Sequence, residues 1–67
     1  MTIDDLIVCH YGTILIKGNR RRIYWGWKII DDIRYIAYST PSRPKKFIME
    51  TDGAFAKWLE GAIRECE

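Results

Sequence analysis

The chain has 67 residues, of which 48% are hydrophobic and 30% are charged, and its net charge is +2. This composition is typical of a globular protein and excludes a disordered chain, and no apolar run reaches the roughly 18 residues of a membrane span. A domain of this size buries only about 60% of the surface that its unfolded chain exposes, which leaves little room for a deep catalytic cleft. We interpret residues 1–67 as one small domain, mainly β over residues 1–50 and helical over 52–66.

The N-terminal half carries the signals of a β-meander. Residues 3–11 fit either an edge strand or a short helix. The pair Gly18–Asn19 lies between two runs rich in β-branched and aromatic residues, which predicts a two-residue hairpin turn. A second turn is predicted at Asp31–Asp32, although two aspartates match a tight primed turn poorly. The cross-strand pairs predicted from these turns are Lys17–Arg20, Ile16–Arg21, Ile14–Ile23 and Ile30–Ile33.

Alternation of side chains along these strands predicts one buried and one solvent-facing side of the sheet. The buried side is expected to consist of Ile14, Ile16, Ile23, Trp25, Trp27, Ile29, Ile36 and Tyr38. The solvent-facing side is expected to consist of Leu15, Lys17, Arg22, Tyr24, Gly26, Lys28, Tyr35 and Ala37. Residues 39–46 contain two prolines and predict a loop or a broken edge, and residues 45–51 predict a further strand with Phe47 and Met49 pointing inward.

The C-terminal residues have the period of an amphipathic helix. Its apolar stripe consists of Phe55, Trp58, Leu59, Ala62, Ile63 and Cys66. Thr51 or Asp52 is suited to cap this helix, because its side-chain oxygen can accept a hydrogen bond from an early backbone N–H. The sequence thus predicts an α+β fold, an antiparallel β-meander of three to four strands packed on one C-terminal α-helix that lies across Trp25 and Trp27.

Residues suited to catalysis or metal binding do not form a recognised pattern. His10 is the single histidine, and its neighbour Cys9 would point to the opposite side of an extended strand, so the two could not share a proton. One histidine and two distant cysteines, Cys9 and Cys66, match neither a metal-ligand set nor a C-x-x-C redox pair, and we interpret both cysteines as reduced thiols. Glycine-rich phosphate-binding motifs are missing as well. We therefore expect no enzymatic activity and no cofactor.

Positive charge is concentrated in the middle of the chain. Residues 17–46 contain nine lysines and arginines but only two aspartates. Arginine and lysine neutralise phosphates and tyrosine can stack on bases, while arginine and tyrosine are also enriched in protein–protein hot spots. Binding of nucleic acid, binding of a protein and a plain solvated surface therefore stay open for this basic and aromatic face. The candidate binding residues are Arg20, Arg21, Arg22, Tyr24, Lys28 and Tyr35.

The order of strands followed by "FIMETDGAFAKWLEGAI" resembles the arm-site DNA-binding domain of phage tyrosine integrases. That resemblance covers residues 23–63 and implies a sheet that enters the major groove of DNA. The corresponding positions would be Arg22, Tyr24, Lys28 and Tyr35. The chain contains no recombinase catalytic domain, so the resemblance concerns the DNA-binding fold alone.

The small size and the lack of enzymatic motifs are also similar to phage-encoded sheet-plus-helix inhibitors, including some anti-CRISPR proteins. This resemblance implies a non-enzymatic interaction protein, encoded by a phage or another mobile element, that acts in the host cytoplasm. It would inhibit or modulate a larger host protein or ribonucleoprotein complex, such as a CRISPR-type defence machine, by occluding a surface. The alternative is a regulatory module that contacts duplex DNA through the basic and aromatic sheet face. We expect no membrane and no small-molecule substrate, and an exposed edge strand leaves a homodimer open.

Overall fold

The computed structural model describes residues 1–65 and shows an α+β fold, as predicted. Five antiparallel strands form one sheet in the order β4-β3-β2-β1-β5, one strand more than the upper predicted number. Two helices, one before and one after the first four strands, pack on this sheet. Within residues 1–65, no helix is long and apolar enough to cross a membrane. The elements are α1 (Ile3–Ile7), β1 (Thr13–Lys17), β2 (Arg20–Ile30), β3 (Ile33–Thr40), β4 (Arg43–Thr51), α2 (Asp52–Leu59) and β5 (Ile63–Arg64).

The N-terminal segment, which the sequence left open between strand and helix, is the short helix α1. Thr2 caps it, because the Thr2 hydroxyl accepts a hydrogen bond from the backbone N–H of Asp5 and the Asp5 carboxylate accepts one from the backbone N–H of Thr2. This reciprocal capping box satisfies two backbone donors that a helix start otherwise leaves unpaired. The helix buries Leu6 completely against the sheet.

Both predicted hairpins are confirmed, with the predicted register. β1 and β2 pair Lys17 with Arg20 at the first turn, and β2 and β3 pair Ile30 with Ile33 at the second. Asp31 and Asp32 both have positive φ angles, of 51° and 65°. This is the backbone of a type I′ turn, and aspartate tolerates the left-handed region better than most residues do.

The C-terminal helix is shorter than predicted. Thr51 caps α2, since its hydroxyl accepts a hydrogen bond from the Ala54 backbone N–H at 3.3 Å. The helix ends at Leu59 rather than continuing to residue 66, because Gly61 takes a φ of 80° that breaks the helical path. The chain then pairs Ile63 with Ile16 as strand β5, and Ile63 is exposed instead of buried. Cys66, the last residue of the predicted stripe, lies outside the described residues.

The core lies on one side of the sheet, between the strands and the two helices. Tyr24, Leu15 and Ile36 from the sheet are fully buried there against Phe55 and Leu59 of α2. The full set of buried core residues is Leu6, Cys9, Leu15, Tyr24, Ile36, Tyr38, Phe55, Leu59 and Ala62.

A β-bulge in β2 decides which side chains join this core. Tyr24 pairs with Tyr38 and Gly26 pairs with Ala37, so Trp25 is an extra residue without a partner on β3. An extra residue interrupts the alternation of side chains, and Tyr24 and Trp27 therefore point to the same side of the sheet. The helix side of β2 therefore carries Tyr24 and Trp27, whereas strict alternation would have grouped Trp25 with Trp27.

The predicted sides of the sheet are consequently wrong for β1 and for the first half of β2. Leu15, Arg22 and Tyr24 lie on the helix side, whereas Ile14 and Trp25 lie on the opposite side. Beyond the bulge the predicted sides are right, although Trp27 is 44% exposed. The residues whose side was correctly assigned there are Trp27, Lys28, Ile29, Tyr35, Ile36, Ala37 and Tyr38.

We expect Gly26→Ala to destabilise the protein by about 1–3 kcal/mol, because alanine is strained at the φ of 119° that the bulge requires. The new Cβ would also lie 2.9 Å from the ring of Tyr11. The matched control is Gly53→Ala in α2, whose Cβ would meet nothing within 4 Å and which should raise stability by up to about 1 kcal/mol. Urea unfolding measures both, and equal stability of the Gly26→Ala variant and the wild type would contradict the bulge.

Candidate protein-binding face

The side of the sheet opposite the helices carries a contiguous apolar surface, which we call the open face. Phe47 and Met49, predicted to point inward, are instead 59% and 43% exposed on this face, and Ile63 is 64% exposed. Contiguous exposed apolar surface is unusual on a monomeric soluble protein and marks sites of interaction. The apolar side chains of the open face are Ile14, Ile16, Ile23, Trp25, Ile30, Ile33, Tyr35, Ala37, Phe47, Met49 and Ile63.

Trp25 holds the centre of the open face in one orientation. Its indole Nε1–H donates a hydrogen bond of 2.7 Å to the hydroxyl of Ser39, which is itself fully buried. The edge of its ring also meets Phe47, with centroids 5.9 Å apart and an angle of 88° between the planes. Such edge-to-face pairs are favourable, and the hydrogen bond satisfies the indole donor. The bulge residue therefore presents a rigid aromatic platform and is not part of the core beneath α2.

The charged groups on the open face are cationic. Arg21 lies opposite Ile16 and Lys28 lies opposite Tyr35, and both cations are exposed. The nearest acidic residues are at the margins, at the Asp31–Asp32 turn and at Glu65 after β5. A partner that desolvates the apolar centre would therefore meet positive charge at the border of the contact.

Arg22, predicted to face a partner, lies between the sheet and α2. Its guanidinium carbon is 4.1 Å from the ring centroid of Tyr38, 4.3 Å from that of Trp58 and 5.1 Å from that of Phe55. It also forms an ion pair of 3.2 Å with Glu50, and the side chain is only 15% exposed. A cation enclosed by three aromatic rings and a carboxylate joins the sheet to the helix. Arg22 is thus a structural residue of the helix side.

Tyr24, also predicted to face a partner, is fully buried. Its hydroxyl has no hydrogen-bond partner among the residues that the structure describes. Burial raises the pKa of Tyr24, and the neighbouring Tyr11 and Cys9 raise it further, while Arg34 opposes them. The side chain cannot contact a partner without unfolding the core, so its expected exposure is wrong.

The remaining four candidate residues are accessible to different degrees. Arg21 and Lys28 are exposed and Tyr35 is half-buried, and all three lie on the open face. Arg20 is exposed but lies opposite Lys17, on the helix side. The structure therefore places three of the six candidates on one side of the sheet, with Arg21 near one end of β2 and Lys28 and Tyr35 near the other.

Sequence reasoning missed the aliphatic majority of the open face. A signal for it is present in β1, "TILIK", where Leu15 points to one side and Ile14 and Ile16 to the other. The apolar stripe of one short helix can cover only one side of the sheet. The apolar side chains on the other side of the sheet are therefore left exposed.

The residues considered for catalysis do not form a site. Cys9 is buried and its thiol donates a hydrogen bond to the Asp5 carbonyl oxygen at 3.3 Å, whereas His10 is exposed. No group of three or more metal-ligating side chains occurs within the described part of the chain, residues 1–65.

Comparisons with protein-family models, curated proteins and solved structures give no match. The resemblances to integrase arm-site domains and to phage inhibitors therefore stay predictions.

Replacing Arg22 tests whether its role is structural. We expect Arg22→Ala to destabilise the protein by about 3 kcal/mol, because it leaves the Glu50 carboxylate without its cation and opens a gap between three rings. Arg22→Lys keeps the charge but loses the planar stacking, so an intermediate loss of about 1–2 kcal/mol is expected. Arg21→Ala, which removes the neighbouring exposed arginine, should change the free energy of unfolding by less than about 0.5 kcal/mol. Equal losses for Arg21→Ala and Arg22→Ala in urea unfolding would refute this placement.

Tyr24→Phe tests the burial of the phenol. A raised pKa means that the folded state holds the phenolic proton more tightly than the unfolded chain does, so this stability is present below pH 10 and is lost as pH rises above it. Because the hydroxyl is buried without a described partner, Tyr24→Phe should leave stability at pH 7 unchanged or raise it by about 1 kcal/mol. The same change should reduce the alkaline loss of stability. Urea unfolding at pH 7 and pH 11 measures both effects, and an unaltered alkaline loss in Tyr24→Phe would contradict them.

Proposed function

We propose that the protein is a non-enzymatic interaction protein that binds a protein partner through the open face and inhibits or modulates a larger complex by occluding the surface it covers. The observation that carries this proposal is the coverage of the sheet by helices on one side only. Phe47, Met49 and Ile63 are left exposed beside the half-buried Trp25 on the other side. Burying this apolar surface against a partner is favourable in water.

The size of the open face supports a specific protein contact. The chain measures 33 × 24 × 19 Å, so its broad side is comparable to the roughly 800 Å² that each protein contributes to a standard interface. A rigid aromatic anchor at the centre, here Trp25, is typical of the residues that dominate binding energy. Occlusion needs no chemistry beyond such a contact.

The chemistry of the open face favours a partner with an apolar centre and an acidic border. The aliphatic side chains require an apolar counterpart, and Arg21 and Lys28 favour carboxylates around it. Duplex DNA fits less well, because its phosphates would be placed against isoleucine side chains. The DNA-binding alternative also loses Arg22 and Tyr24, which lie on the helix side. The phage origin and the CRISPR-type target remain predictions from the sequence.

Two matched pairs of variants test the proposal. Phe47 and Ile29 are both 59% exposed, but Phe47 lies on the open face and Ile29 lies on the helix side. Arg21 and Arg20 are exposed neighbours on opposite sides. We expect Phe47→Ser and Arg21→Glu to weaken binding of the partner by about tenfold or more, and Ile29→Ser and Arg20→Glu to leave it nearly unchanged. The full chain on a resin captures the partner from a cell lysate, and titration of the purified partner against each variant measures the affinity.

The outcomes separate protein binding from DNA binding. Equal effects within each matched pair would refute a contact through the open face. Binding to a fluorescent duplex at micromolar affinity or tighter, falling steeply between 50 and 200 mM salt, would instead support the DNA-binding alternative.

A further inference from the structure

The edge strand β4 is the one long, uncovered edge of the described sheet. β4 pairs with β3 on one side and ends the sheet on the other, whereas the opposite edge is the two-residue strand β5. An unpaired edge presents backbone N–H and C=O groups that can take up another strand. Natural edges are commonly blocked by proline and lysine, and β4 has these at Pro44, Lys45 and Lys46. These proline and lysine residues end before Phe47, so the rest of β4 is not protected in this way.

The unblocked part of β4 is apolar on both sides of the sheet. Phe47, Ile48 and Met49 are 59%, 39% and 43% exposed. Met49 lies opposite Ala37 and points to the open face, whereas Ile48 lies opposite Tyr38 and points to the helix side. Pairing with β3 is regular from Ile48 to Thr51 and shifts register nearer Arg43, so a second strand would find its best template around Ile48.

We propose that two copies of the chain pair through antiparallel β4 strands, about a two-fold axis that passes beside Ile48. In this register Ile48 lies opposite Ile48 of the second copy, and Phe47 lies opposite Met49 of the second copy. Aromatic–thioether and aliphatic pairs of this kind stabilise neighbouring strands. The axis is perpendicular to the sheet, so the open faces of both copies lie on the same side.

The charges of β4 complement each other in this register. Lys46 precedes Ile48 by two residues and Glu50 follows it by two, so Lys46 lies opposite Glu50 of the second copy, twice in the dimer. Glu50 already binds Arg22, but its side chain is 30% exposed and a carboxylate has room for a further donor. Opposite charges across strands are favourable.

The neighbouring registers that keep both open faces on one side are less complementary. An axis at Met49 would place Ile48 against Glu50 and Phe47 against Thr51. An axis at Phe47 would place Ile48 against Lys46 and Met49 against Lys45. Both replace apolar pairs with apolar–polar ones, so the register centred on Ile48 is favoured.

The dimer would join two five-stranded sheets into one continuous sheet with two adjacent open faces. A partner with two copies of the recognised surface could then be bound bivalently, which raises apparent affinity without new contacts. The pairing itself uses the edge and does not depend on the proposed partner.

Cysteine cross-linking tests the axis, in a Cys66→Ser background with the buried Cys9 retained. Ile48→Cys places two thiols opposite each other, with Cα atoms about 5 Å apart, which suits a disulfide. Met49→Cys, at nearly the same exposure, places the two cysteines about 8 Å apart, which a disulfide cannot bridge. We expect mild oxidation to yield covalent dimers at least about tenfold faster for Ile48→Cys. Equal rates, or faster cross-linking of Met49→Cys, would overturn the proposal.

Sedimentation equilibrium of the full chain tests the pairing without new cysteines. Lys46→Glu would place a carboxylate opposite Glu50 of the second copy, and this repulsion would occur twice in the dimer. We expect it to raise the dimer Kd by about tenfold or more. Lys28→Glu makes the same change of charge away from the β4 edge and should leave the dimer Kd nearly unchanged. A monomeric wild type at millimolar concentration, or equal effects of the two variants, would overturn the proposal.

Discussion

The bulge at Trp25 is the constraint on which the rest of the structure depends. Tyr24 lies beneath the helices and Trp25 lies on the opposite side, and the extra residue in β2 returns Trp27 to the side of Tyr24. Without it, Tyr24 and Trp27, which are three residues apart, could not both lie on the helix side. Tyr24 thus belongs to the core and Trp25 to the open face. A regular strand would have placed Trp25 and Trp27 on the same side of the sheet.

Arg22 shows how the helix side accommodates a charge that the sequence assigns to solvent. A small domain has few residues with which to fix a helix on a sheet, and one guanidinium here contacts Tyr38, Phe55 and Trp58 together. Its charge is compensated by Glu50 from β4, so sheet, helix and edge strand meet at one side chain. The basic character of the middle of the chain is thus partly structural and does not belong entirely to a binding surface.

The sequence predicts the local features of this fold well and the tertiary ones poorly. Both hairpin registers follow from two-residue turns, and the start of α2 follows from the cap at Thr51, because each depends on a few adjacent residues. Gly61 ends α2 locally, but the strand β5 that follows depends on pairing of Ile63 with Ile16, which lies far away in sequence. The side assignment failed because strict alternation was assumed across a bulge, for which the one sequence signal was a glycine between two tryptophans. The same assumption placed Arg22 and Tyr24 on the solvent-facing side, although both lie beneath the helices.

Because both helices lie on one side of the sheet, the residues that form the core are largely separate from those that form the open face. The fully buried residues belong to the helix side, except Ser39, which lies on the open-face side beneath Trp25, while most open-face side chains are only half-buried or exposed. Substitutions at exposed positions are usually tolerated within about 0.5 kcal/mol. The open face could therefore change during evolution while the fold is preserved, and the proposed contact could then follow a partner that is itself changing.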